Sequence, residues 1–238
     1  MQTPLMGING KCLNSKCDMK VVNLSETPSV LNQYVSELRD VGIQGDRMRF
    51  RRNIERIGEM MAYEISKSLS YKEVAVQTPL AECKCQRVAD DVVLATIFRA
   101  GLPLHQGFLN VFDKADNGFV SAYRYYIDRE CSKVGVHVEY LASPDLTGKT
   151  LIVVDPMLAK GYSLELAVQA LLKNGIPDRI IMASVIASQE GVDHIVKCFG
   201  EHEEVELWCA AIDPVLNERS YIVPGLGDAG DLAFGGKM

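Results

Sequence analysis

The sequence predicts an α/β fold with a mainly parallel central sheet flanked by helices. Val92 to Phe98, Leu151 to Val154 and Ile180 to Ile186 are continuous apolar runs containing β-branched residues, the pattern of strands buried on both faces. Segments with helical spacing lie between and around them, and alternation of strand and helix makes successive strands parallel. A third pattern departs from these: Val134, Val136, Val138 and Tyr140 alternate strictly with other residues, as in a half-exposed strand.

Taken along the chain, residues 1–18 are polar, cysteine-containing and aperiodic, and are expected to be an extension outside a single domain spanning 19–238. Phe50, Ile54, Ile57, Met61, Ile65 and Leu69 recur at spacings of three and four, lining one face of a long amphipathic helix. The arginines at 47, 49, 51, 52 and 56 fall on its other face, expected to be solvated. The first buried strand, Val92 to Phe98, runs into Arg99-Ala100-Gly101. Phe119 to Tyr126 and Val134 to Leu141 then predict a β-hairpin arm standing off the sheet, either covering a site or reaching a neighbouring subunit. Leu151 to Val154 forms a strand before Asp155-Pro156, and Leu164, Ala167, Val168, Leu171 and Leu172 predict a helix stopped by Asn174-Gly175 and Pro177. Ile180 to Ile186, Val192 to Phe199 and Val205 to Ala211 continue as strand, helix and strand. Tyr221 to Lys237 is too glycine-rich and irregular for either and is read as an ordered loop region.

Composition excludes several function classes. A net charge of -6 and a pI near 5.3 argue against nucleic acid as a partner, because phosphate backbones select for clustered Lys and Arg. No run of about 18 apolar residues spans a bilayer, so no membrane role and a cytoplasmic location are expected. The seven cysteines show no repeated metal-binding pair spacing, so reduced thiols and no protein-held metal are expected.

Ligands of parallel sheets bind at the carboxyl ends of strands, which singles out Arg99, Asp155, Asp213 and the loops after them. The loop from Asp155 to Ser163 leads into a helix whose first-turn amides and dipole favour an anion, with Lys160 as a cation and Gly161 allowing close backbone approach.

D-P-M-L-A-x-G-x-S at 155–163 and Y-I-x-P-G-L-G-D-A-G-D-x-x-F-G at 221–235 together resemble the paired signature of uracil phosphoribosyltransferases. The likeness extends to F-R-A-G-L at 98–102, T-P-L at 78–80, and F-R-x-N-x-x-R-I-G with Y-E-I-S on the long helix, and covers most of the chain from about Met19. It implies the type I phosphoribosyltransferase fold and transfer of ribose 5-phosphate from phosphoribosyl pyrophosphate (PRPP) to uracil, giving UMP and pyrophosphate. The resemblance gives Arg99 and Arg124 the pyrophosphate, with Arg124 on the arm closing over it. Asp155, Pro156, Met157, Leu158, Ala159, Lys160, Gly161, Tyr162 and Ser163 correspond to the PRPP loop. Ile222, Gly227, Asp228 and Ala229 correspond to uracil-binding positions, Asp228 also reaching the ribose. Catalysis would rest on Arg99, Arg124 and Asp228, with Mg2+ carried in by PRPP. Family membership further implies a homodimer or higher homo-oligomer, and GTP is an effector of some members.

The chain departs from the family pattern twice. Ala159-Lys160-Gly161-Tyr162-Ser163 stands where Ala-Thr-Gly-Gly-Ser is usual, removing a hydroxyl and placing Tyr162 at a position that would be strained if it required positive φ. Lys160 replaces the hydroxyl with a charge, blocks the pocket or points to solvent. On the arm, Tyr123-Arg124-Tyr125-Tyr126 keeps the arginine and loses the acidic residues that usually follow. These departures motivate an alternative: a weak or inactive relative binding PRPP or a nucleotide as a sensor.

Overall fold

The computed structural model describes residues 19–126 and 134–236, those at 122–138 through their backbone alone; residues 1–18 lie outside it. In chain order the elements are β1 (Lys20–Asn23), α1 (Val30–Arg39), α2 (Arg47–Ser66), β2 (Tyr71–Gln77), β3 (Glu82–Val88), β4 (Val92–Ile97), α3 (Leu102–Leu109), β5 (Asp116–Tyr126) and β6 (Val134–Ala142). There follow β7 (Thr150–Val154), β8 (Met157–Leu158), α4 (Tyr162–Leu171), β9 (Arg179–Ser188), α5 (Gln189–Phe199), β10 (Val205–Asp213), β11 (Val215–Leu216), β12 (Ile222–Val223) and α6 (Ala229–Phe234). The central sheet runs β1-β10-β9-β7-β4-β5-β6, with β8 added beside β9. Every pairing in it is parallel except β5 with β6.

Alternation along the buried strands divides the core into two layers. Leu94, Ile152, Val154, Ile181 and Ala183 meet Phe50, Ile54, Ile57 and Met61 of α2 on one face. Val93, Ala95, Leu151, Val153, Ile180 and Met182 meet Leu164, Val168 and Leu171 of α4 and Ile195 and Phe199 of α5 on the other. Because side chains of a strand point alternately to opposite faces, these uninterrupted apolar runs are what a three-layer sandwich requires. Local signals fix the helix starts: Ser29 and Asn32 form a capping box on α1, Asp46 caps α2, and Ser188 caps α5 through Gly191 N–H. Gly58 of α2 and Gly107 of α3 let those two helices touch backbone to backbone, since a Cβ on Gly58 would lie 2.7 Å from the Leu104 carbonyl oxygen.

The structure bears out one expectation and corrects two. The predicted hairpin arm is present as β5–β6 and is rooted at the edge of the main sheet: β5 pairs with β4 from Asp116 through Val120, and the hairpin stands out past the end of β4 beyond that point. A second hairpin, β2–β3, forms its own two-stranded sheet. The segment from Tyr221 is not all loop, because Ile222–Val223 pairs with Val215–Leu216 and Ala229–Phe234 is a short helix capped by Asp228. The arginine face of α2 is not merely solvated. Arg51 donates to the Ala233 carbonyl at 2.7 Å, Arg49 pairs with Glu37 at 3.0 Å, and the Arg56 guanidinium lies 5.1 Å from the centre of the Tyr34 ring. These contacts tie α2 to α1 and α6.

Candidate active site

The carboxyl ends of β4 and β7 open on one side of the sheet, and the loops that leave them, together with the segment from Ser220 to Gly230, enclose a cavity of about 320 Å³. Its walls are of three kinds. Ile97, Phe98, Arg99 and Ala100 continue β4; Asp155, Met157, Ala159 and Ser163 belong to the loop between β7 and α4; Ser220, Tyr221, Ile222 and Gly227 to Gly230 complete it. A larger cavity of about 700 Å³ lies between β1, α1 and α2, but its charged lining is Glu26, Glu59 and Glu64, with no cation or glycine loop to receive phosphate. The smaller cavity therefore has the chemistry of an anion site.

Arg99 sits where the backbone must turn sharply. The Phe98–Arg99 peptide is cis, and a side chain at Gly101 would overlap Thr96 Oγ1, so glycine is required there. The Arg99 guanidinium donates to Asp231 Oδ1 at 3.1 Å and to the Gly235 carbonyl at 3.3 Å, while its buried Nε has no hydrogen-bond partner among the described residues. A buried donor without an acceptor is costly, and a ligand oxygen here would relieve it.

The β7–α4 loop is shaped from behind. The Asp155 carboxylate accepts from Met157 N–H at 3.4 Å, and the Pro156 carbonyl accepts from Ile186 N–H at 3.0 Å. Ser188 Oγ donates to the Ala159 carbonyl at 2.6 Å, and Gly191 leaves the space that this carbonyl occupies. Gly161 has φ +84° and packs against His194; it starts α4 with no side-chain cap, so the positive end of that helix is offered to an anion. Tyr162 is the first residue of α4, and the positive φ falls on Gly161, so the strain considered for Tyr162 is absent. Its ring lies edge-on to His194, centroids 4.5 Å apart, and is 43% exposed.

The third wall is held by turns that need glycine. Gly225 at φ +58° and Gly227 at φ +92° flank buried Leu226, and the Val223–Pro224 bond is cis. Asp228 caps α6 by accepting from Asp231 N–H at 2.9 Å. Of the residues singled out in the sequence, Arg99, Asp155, Met157, Ala159, Ser163, Ile222, Gly227, Asp228 and Ala229 line the cavity together. Pro156, Leu158, Lys160, Gly161 and Tyr162 support the loop without lining it. Arg124 lies on β5 in register with Val136, and its side chain is outside the described residues. Asp213, marked by the strand-end rule, does not line the cavity; it is paired with Arg39. Sequence reasoning passed over Ile97, Phe98, Ala100, Ser220, Tyr221 and Gly230 as lining residues, although Phe98 and Ala100 lie in F-R-A-G-L at 98–102 and Tyr221 and Gly230 in the motif at 221–235.

The chain matches the family model described as uracil phosphoribosyltransferase over residues 25–236. The chain belongs to the uracil phosphoribosyltransferase family. Among its relatives in that family, the uracil phosphoribosyltransferase of Porphyromonas gingivalis is 57% identical over 220 residues, covering 92% of this chain and 100% of that protein. That of Pyrococcus furiosus is 38% identical over 218 residues, 90% of each. A solved protein structure from Aquifex aeolicus superposes with a TM-score of 0.78 at 30% identity, over 90% of this chain and 98% of that one. The architecture is accordingly the expected α/β fold, with a mainly parallel sheet and flanking helices.

Proposed function

We propose that the chain is a pentosyltransferase that joins uracil to the ribose 5-phosphate of PRPP, releasing pyrophosphate and forming UMP for pyrimidine salvage. The observation that carries this reading is the convergence of an arginine loop, a phosphate-type βα loop and a glycine-shaped base-facing wall on one cavity. Arg99, whose Nε lacks an acceptor among the described residues, would hold the departing pyrophosphate and stabilise its growing charge, with Arg124 of the hairpin closing beside it. Backbone amides of residues 155–163 at the start of α4 would hold the 5-phosphate, and Asp155 would face the ribose. Ile222, Gly227 and Ala229 would read the base through main-chain carbonyl and N–H groups. Cytosine presents a donor where uracil presents an acceptor, which leaves a buried group unpaired and disfavours it.

Oxygen donors in the cavity, Asp155 and Asp228, suit Mg2+ carried in with PRPP, which would add positive charge near the leaving group. Location in the cytoplasm and assembly into a homodimer or higher oligomer belong to the same reading; the β2–β3 hairpin supports the latter, standing apart from the main sheet with Leu80 97% exposed. GTP is the effector to try. The test is UMP formation from uracil and PRPP with Mg2+, with cytosine as control: uracil-specific turnover is expected, and no turnover under any Mg2+ or GTP condition would favour the sensor alternative.

A further inference from the structure

Behind the β7–α4 loop, on the side away from the cavity lining, Glu165 of α4 meets His194 and Cys198 of α5. Glu165 Oε2 lies 2.8 Å from His194 Nε2, Cys198 Sγ lies 3.6 Å from the same nitrogen, and the three ligand atoms fall within 4.8 Å of one another. His194 and Cys198 are four residues apart on one helix and so share a face. The three groups could form a nucleophile triad or a chelate. In a triad the carboxylate orients the nitrogen opposite the one that faces the nucleophile. Here carboxylate and thiol both face Nε2, which leaves no relay and instead points three donors at one point.

We propose that Glu165, His194 and Cys198 form a three-ligand site for a thiophilic divalent cation of the Zn2+ class, with an open fourth position. Zinc bonded to sulfur, imidazole and carboxylate at its usual distances sets the ligand atoms roughly 3.3–3.6 Å apart. The Sγ–Nε2 separation already fits, and the Oε2–Nε2 pair must open by about 0.5 Å, a side-chain adjustment. The ligands are half-buried, His194 and Glu165 being 21% and 20% exposed in their side chains, so the site is shielded yet reachable. A sulfur–nitrogen donor set selects against Mg2+, which wants oxygen alone, so this site would not compete for the ion that accompanies phosphates. The Cys198 proton leaves to solvent as the sulfur–metal bond forms.

Its position gives it a consequence for the cavity. Glu165 N–H donates to the Gly161 carbonyl at 3.0 Å, a Cβ at Gly161 would lie 2.8 Å from His194 Cδ2, and Tyr162 covers the His194 ring. An ion here would pin the first turn of α4 to α5 and thereby fix the loop that ends at Ser163.

The test is a Co2+ titration of the reduced, chelator-treated full chain in millimolar Mg2+. To silence other thiols, the background carries Ser at Cys12, Cys17, Cys83, Cys85 and Cys131. A near-ultraviolet thiolate-to-cobalt band with visible bands of four-coordinate Co2+, saturating at one ion per chain and displaced by Zn2+, is expected. Cys198→Ser should remove the near-ultraviolet band, and His194→Ala and Glu165→Gln should each weaken Co2+ binding by roughly tenfold or more. Circular dichroism identifies any variant that fails to fold, and the isosteric Cys198→Ser keeps the test decisive if His194→Ala does. No band in the parent protein, or a band unchanged by Cys198→Ser, overturns the site.

Discussion

Arg39, in the last turn of α1, grips Asp213 at the end of β10 with both terminal nitrogens, each 2.7 Å from a carboxylate oxygen. The same two residues hold the chain at Gly225: Arg39 donates to its carbonyl at 3.0 Å, and Asp213 accepts from its N–H at 2.8 Å. The glycine turn that leads to Gly227 and Asp228 is thus fastened to the sheet by a largely buried bidentate ion pair. Removing one partner leaves the other charge without compensation.

Arg39→Ala should therefore cost roughly 2–4 kcal/mol of stability. It should raise KM for uracil more than KM for PRPP, because the wall it positions is the one proposed to face the base. Thermal denaturation with steady-state kinetics for each substrate checks both; equal rises in the two KM values would refute a base-side role.

Arg99→Ala should lower turnover by about 10²–10³-fold, the scale of losing one preorganised charge donor in a transition state. Stability should change little, since the Arg99 side chain is 36% exposed and its partner Asp231 45% exposed. Unchanged turnover would remove Arg99 from the catalytic group.

Gly191→Ala tests how the phosphate loop is supported from outside the cavity. A methyl group there would overlap the Ala159 carbonyl oxygen, and both contacting groups are backbone, so the loop must move. KM for PRPP should rise about tenfold while KM for uracil holds, read from initial rates at varied PRPP.

Tyr162→Gly restores the usual family residue at 162, yet Tyr162 is helical and carries no positive-φ strain. The substitution should cost about 1 kcal/mol as glycine enters the first turn, seen as a lower Tm, without raising turnover. A marked gain in turnover would show that the ring obstructs substrate.

Glu206 carries the pH dependence of β1, β9 and β10. Burial alone would raise its pKa, but hydrogen bonds from Trp208 and Arg179 and the nearby charges of Arg179 and Lys20 outweigh it and hold the carboxyl below its ordinary value of 4.5. A folded-state pKa below the unfolded one means that this stabilisation is full above about pH 4.5 and is lost as pH falls through the lowered value. Wild type should out-melt Glu206→Gln at neutral pH, with the gap closing in acid; a pH-independent gap would contradict the linkage.

The long helix and the central strands were legible because burial writes itself into sequence. Phe50, Ile54, Ile57 and Met61 keep helical period, and Val92 to Ile97 keep no polar face, since layers cover both sides of the sheet. The β2–β3 hairpin left no such mark: Lys72, Glu73, Lys84 and Arg87 interrupt strands with no buried residue on either face. Pairing from Tyr71 with Val88 to Gln77 with Glu82 defines it, and a backbone ladder has no hydrophobic period. The short α6 was hidden by Gly230 and the glycines that flank it, although Asp228 with Asp231 three residues on is a helix-start signal. In the cavity, loops flanking known strand ends were foreseeable, whereas Ser220, at φ 64°, lies outside both motifs and was not.

The residues proposed to face the base come from one contiguous stretch, Ser220 to Gly230, while Arg99 and the loop at 155–163 come from elsewhere in the chain. Selection can therefore retune which base is accepted by revising a single short segment, leaving the phosphate-handling parts as they were inherited. The separation works in reverse as well: Lys160 and Tyr162, where the loop departs from the usual family residues, lie outside the stretch that would set the base preference.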